Sequence, residues 1–129
     1  MRDVIFPSDK QATYEAYGYS AAVRSGGFLF VSGQVGVDAA GGAIKDPASQ
    51  FQMAFANLHD VLGAAGCGFD DIVDITSFHV NMHEHFDTFA VSKQSVFPNP
   101  PFPNWTAIGV VSLADPDLLV EIKAVAKVE

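Results

Sequence analysis

At 129 residues, 49% hydrophobic and 17% charged, the chain has the size and apolar content for one domain over residues 1–129 with a real core, not a disordered polymer. Fifteen acids against seven scattered bases give a formal net charge of −8, so no basic stripe exists to neutralise phosphates and nucleic acid is not an expected partner. No apolar run approaches the ~18 residues of a membrane span. MRDVIFPSDK lacks a signal-peptide apolar core, and the single cysteine, Cys67, suits a reducing cytoplasm, the expected location.

In chain order, VIFP at 4–7 reads as a short strand. Residues 17–24 alternate and 28–37 follow as a second strand, so 17–37 reads as a hairpin turning at Ser25-Gly26-Gly27. Gly33 inside that second strand signals a bulge or a close backbone approach. Asp46-Pro47 is an N-cap followed by proline at the first helical position. Phe51, Ala54, Phe55, Leu58, Val61, Leu62 and Ala65 then form one apolar stripe, and Gly66 stops the helix.

Residues 71–82 read as a strand, 85–97 as a second amphipathic helix stopped by Pro98, and 105–112 as a strand. Asp115-Pro116-Asp117 turns the chain into a last strand at 118–128. Four of the seven prolines fall between Pro98 and Pro103, just before the only tryptophan, Trp105. This stiff run either pre-organises Trp105 and Thr106 or forms a rigid interface loop.

The predicted fold is therefore α/β (α+β), a mixed sheet of about six strands with two helices on one face. In the last strand Leu118, Val120, Ile122, Ala124, Ala126 and Val128 make one apolar face. Leu119, Glu121, Lys123, Val125 and Lys127 make a mixed one. Two helices cover one face, so the second is expected to meet neighbouring chains in an oligomer.

YSAAVRSGGFLFVSGQVG at 19–36, QMAFANLHDVLGAAGCGFDDIVDITSF at 52–78 and LLVEIKAVA at 118–126 together resemble the Rid family, also called YjgF-like proteins. The resemblance covers nearly the whole chain. It implies a chorismate-mutase-like fold and a homotrimer with small-molecule clefts between subunits; no cofactor or metal is expected. The implied reaction is hydrolysis of 2-imino acids and their enamine tautomers to ammonia and a 2-keto acid. In the family's motif Pro-Ala-Arg-Ser/Thr the arginine binds the substrate carboxylate. Here the stretch is Pro103-Asn104-Trp105-Thr106, so Trp105 stands at the arginine position, and Phe102-Pro103 with PNWTA looks closest to the YjgH branch. Glu121 keeps the position of the glutamate that handles water. Tyr19, Ser32 and the adjoining Gly33 fall on the cleft, Ala90 stands where asparagine is frequent, and Ala107 where a cysteine sometimes stands.

Glu121 is then either a surface or interface carboxylate in an ion pair, with Arg24 for example, or the acid–base group. If it lies against Trp105, desolvation raises its pKa. Trp105 is either core filling or the stacking wall of the cleft. Tryptophan offers one N–H and no charge, so ordinary 2-imino acids are expected to be poor substrates, and a neutral, aromatic or cationic ligand to fit better. No histidine is spaced to make Ser32 a nucleophile. HVNMHEH at 79–85 matches no standard zinc spacing, and Cys67 reads as an inert structural thiol. Some relatives carry an endoribonuclease label, which the charge of −8 disfavours here. Three functions stand open: an imine or enamine deaminase with Glu121 catalytic and Tyr19, Ser32, Gly33, Trp105 and Thr106 contacting the ligand; a non-catalytic binding module; a scaffold.

Overall fold

The computed structural model describes residues 1–128. Its elements run β1 (Asp3–Ile5), α1 (Gln11–Ala16), β2 (Ala22–Ser25), β3 (Phe28–Val35), α2 (Pro47–Ala64), β4 (Ile72–His79), α3 (Met82–Val96), β5 (Asn104–Gly109) and β6 (Val120–Lys127). They build one six-stranded sheet in the order β1-β2-β3-β6-β4-β5.

Gly26 and Gly27 both take positive φ, 59° and 83°, the geometry a two-residue turn needs to match strand twist. They join β2 to β3 with Ser25 opposite Phe28. β6 inserts antiparallel between β3 and β4, while β4 and β5 run parallel, joined through α3. A parallel neighbour needs such a crossover, and the helix supplies it.

The α2 stripe is used as predicted. The Asp46 carboxylate accepts from the Ser49 backbone N–H at 3.0 Å, Pro47 opens the helix, and Gly66 follows its end at φ 77°. Phe51, Ala54, Phe55, Leu58, Val61 and Leu62 are all buried against Leu29, Val31, Ile75 and the apolar face of β6. Each large side chain so buried contributes about 1.5–3 kcal/mol. Buried Gln50 ties α2 to the approach to β6: its amide donates to the Ile44 and Asp117 carbonyls, and its oxygen accepts from Leu119 N–H.

Several boundaries differ from the sequence reading. Residues 17–21 are not strand. They follow α1, a third and short helix that buries no residue and so leaves no apolar periodicity to read. Helix α3 begins at Met82, after Asn81 in the left-handed region, and takes in His83 to His85. β5 stops at Gly109, short of the predicted 112. The Pro100–Pro101 bond is cis.

The sheet face away from α2 and α3 is uncovered. Phe28, Phe30, Val73 and Ile108 are exposed there, together with half-buried Val23, Phe78 and Val125.

Candidate functional site

Strand alternation places Glu121. Its neighbours Val120 and Ile122 are fully buried under the helices, so Glu121 points to the uncovered face, across from Val35 of β3 and Phe78 of β4. The β3–β6 register slips between Val31 and Gln34, which sets Gly33 under this carboxylate. A Cβ on Gly33 would fall inside the Glu121 carboxylate. Both roles expected of Gly33, bulge and close approach, are therefore present.

Ser32 and Tyr19 gather at the same end. The Ser32 hydroxyl donates to the Ser20 carbonyl at 2.7 Å, fixing the segment that presents Tyr19. The Tyr19 ring meets Tyr14 edge-on at 5.0 Å, and Tyr14 is hydrogen-bonded through its hydroxyl to the Gln34 side chain. Burial first, then the neighbouring Tyr14 and Glu121, push the Tyr19 hydroxyl above its ordinary pKa. Glu121 itself is pushed up by burial. Arg24 pairs with Asp3 at 3.3 Å, and among the described residues no cation stands within ion-pair reach of Glu121. Within one chain, Glu121 is therefore not paired with Arg24.

Trp105 does not join this group. It sits beside Ile75 in the β4–β5 ladder and faces the helices. Its indole N–H donates to Ser77 Oγ at 2.9 Å, and Ser77 Oγ lies 2.7 Å from His79 Nε2. An indole only donates, so Ser77 accepts from it, and the imidazole tautomer sets which of Ser77 and His79 donates in the second bond. Burial holds His79 below its ordinary pKa, which favours the neutral ring. Phe86 stacks on the indole, centroids 5.7 Å apart and planes 3° apart, and Lys93 Nζ lies 4.1 Å from the ring centroid.

The expected contact between Trp105 and Glu121 is therefore absent within one chain. The side chains leave opposite faces, with β4 between their strands. Glu121 owes its raised pKa to its own surroundings, not to the indole. Phe86 and Lys93 also lie on the indole, so a ligand stacking there would share the ring with them. Thr106 does share the uncovered face with Glu121, but two strands away, about 10 Å across the sheet.

Sequence reading missed Ser77, His79, Phe86 and Lys93. Ser77 and His79 lie two apart on a strand, and nothing in the sequence marks their face. Lys93 had a signal: it falls on the helical face of Phe86, Phe89 and Phe97, where a charge is out of place. His79 is buried while His83 and Glu84 are exposed on the first turn of α3, and among the described residues no three His, Cys, Asp or Glu side chains converge. Burial, chiefly, raises the Cys67 pKa, which keeps its thiol protonated. No helix of the described residues is long and apolar enough to cross a membrane.

The sequence pattern described as Endoribonuclease L-PSP matches residues 9–128. This chain belongs to that family, the YjgF or Rid family. Within the family it is 47% identical to the RutC family protein YjgH of Escherichia coli K12 over 127 residues, 98% of this chain and 95% of that one. A solved structure titled Protein YJGH superposes with a TM-score of 0.92 at 46% identity, covering 98% of this chain and 96% of the other. The human family member named 2-iminobutanoate/2-iminopropanoate deaminase is 31% identical over 110 residues, 84% of this chain and 78% of its own.

Proposed function

We propose that the chain is a hydrolytic deaminase acting on an imine or its enamine tautomer, in clefts that close between subunits of a homotrimer. The carrying observation is Glu121: a half-buried carboxylate with no counter-ion among the described residues, seated over Gly33, its pKa raised by burial. Such a group exchanges protons nearer neutrality than an ordinary carboxylate. Glu121 takes a proton from water as its oxygen bonds to the imine carbon. It returns that proton to the nitrogen, giving a carbinolamine, and then carries the new hydroxyl's proton to the nitrogen as the C–N bond breaks, so both water protons end on nitrogen and imine and water become carbonyl and ammonia. Tyr19 and Ser32 shape the cleft beside it. The deaminase named above, a family member, supports the reaction class. The uncovered apolar face supports assembly, and the opposed directions of Glu121 and Trp105 suit a cleft to which one chain gives the acid and the next gives the β5–α3 edge.

A non-catalytic binding module is the second reading. It is favoured by Trp105 at the position where the resemblance places an arginine, with its single N–H committed to Ser77. The test is ammonia release from imines generated in place by an amino-acid oxidase. A deaminase releases ammonia faster than the uncatalysed rate, and Glu121→Gln lowers that by ~10²–10⁴-fold. A binder gains thermal stability from a ligand that it does not consume.

A further inference from the structure

Lys93 is oddly placed for a lysine in an acidic chain. The sequence holds fifteen carboxylate side chains, yet among the described residues none lies within ion-pair reach of Lys93. Its helical neighbours three and four positions away are Phe89, Ala90, Val96 and Phe97. The ammonium sits instead 4.1 Å from the Trp105 ring centroid and 5.8 Å from that of Phe97. An aromatic face attracts the charge but accepts few of its three N–H donors. The platform is also fixed, because Ser77 holds the indole edge and Phe86 stacks on the ring. A cation held in place, with donors unspent and no carboxylate beside it, is a ready partner for an anion.

We infer that Lys93, seated on the Trp105 indole, is the anion-reading group of the site, and that the ligand carries a carboxylate or a comparably compact single negative charge. This rests on the cleft proposed above, since it takes the β5–α3 edge as one of its walls. It reverses the expectation drawn from Trp105 alone: a cationic ligand would meet a like charge already on the ring. The positive charge missing from position 105 is supplied from α3, twelve residues earlier in the chain. Partial desolvation, which lowers the Lys93 pKa, makes a charge-assisted bond to an incoming carboxylate stronger than at an exposed lysine.

Trp105 is the only tryptophan, so its emission reports on this spot directly. The experiment titrates the full-length protein with pyruvate and with its neutral analogue pyruvamide at fixed salt, following indole emission and heat. Pyruvate is expected to give a saturable change, with pyruvamide weaker by about tenfold or more. Lys93→Met should weaken pyruvate by a similar factor, and Lys93→Arg should keep most of the affinity. Equal binding of both compounds, an unchanged Kd in Lys93→Met, or no saturable pyruvate binding by either readout overturns the inference. The two proposals fail separately. Pyruvate bound through Lys93 without ammonia release sinks the deaminase alone. Ammonia release that Lys93→Met leaves intact sinks the role of Lys93 alone.

Discussion

Trp105 and Glu121 leave opposite faces of one sheet, with β4 between their strands. A cleft lined by both must draw them from two chains. Complementation checks this. Below saturation, Glu121→Gln alone is expected to be nearly inactive in ammonia release, and Lys93→Met alone about tenfold slower than wild type. Mixed and allowed to exchange subunits, they should recover about a quarter of wild-type activity, since random pairing restores that share of two-chain sites. A mixture no more active than the average of its parts, with exchange verified by mass, would place both residues in a one-chain site.

The uncovered face makes a second demand. Phe30 is 47% exposed and lies opposite Val23 and Val125, so its ring sits amid an apolar patch. The wild-type protein is expected to scatter light as three times its 13.7 kDa chain mass at micromolar concentration. Phe30→Glu places a charge in that contact and should yield monomers with the same circular dichroism, because the core on the other face is untouched. A wild-type monomer, or a variant still trimeric, would refute the assembly.

How much of this was legible in the sequence differs from element to element. Helix α2 was readable because Asp46, Pro47, the apolar stripe and Gly66 all agree. β6 was readable because one face is apolar at every position and the other is mixed. The direction of Trp105 was not. In 105–112 both alternating sets hold apolar residues, so period alone leaves the facing open until pairing with β4 fixes it. Helix α1 was invisible because it buries nothing. The grouping of Tyr19, Ser32 and Gly33 around Glu121 came from resemblance. The Lys93–Trp105 contact came only from three-dimensional packing.

Glu121 also sets a pH dependence. Its folded-state pKa lies above the ordinary carboxylate value of 4.5, so the folded protein holds this proton more tightly than the unfolded chain. Its contribution to stability is thus full below the ordinary value and is lost as pH rises through the folded one. Glu121→Gln has no charge to desolvate. It is expected to melt higher than wild type near pH 7, with the gap closing as pH falls through the raised folded value toward 4.5. Melting curves of the two proteins across that range check it. A variant less stable than wild type at neutral pH would mean that the carboxylate is stabilised by partners rather than strained by burial.

Two glycines separate the needs of the site from those of the fold. A Cβ at Gly36 would run into the Gln50 backbone carbonyl, which has no freedom to withdraw because Gln50 is buried in α2. A Cβ at Gly33 would meet the Glu121 side chain from its carboxylate back to Cγ, a flexible side chain and not backbone. Gly36→Ala should therefore cost about 1–3 kcal/mol or more of stability by overpacking. Gly33→Ala should cost less, but it displaces the carboxylate, so ammonia release should fall toward the level of Glu121→Gln. Denaturant titration and the ammonia assay on both variants give a two-way comparison. If Gly33→Ala keeps full activity, the carboxylate position set by that glycine is not what the reaction uses. If Gly36→Ala is as stable as wild type, the β3–α2 contact yields more readily than its geometry implies.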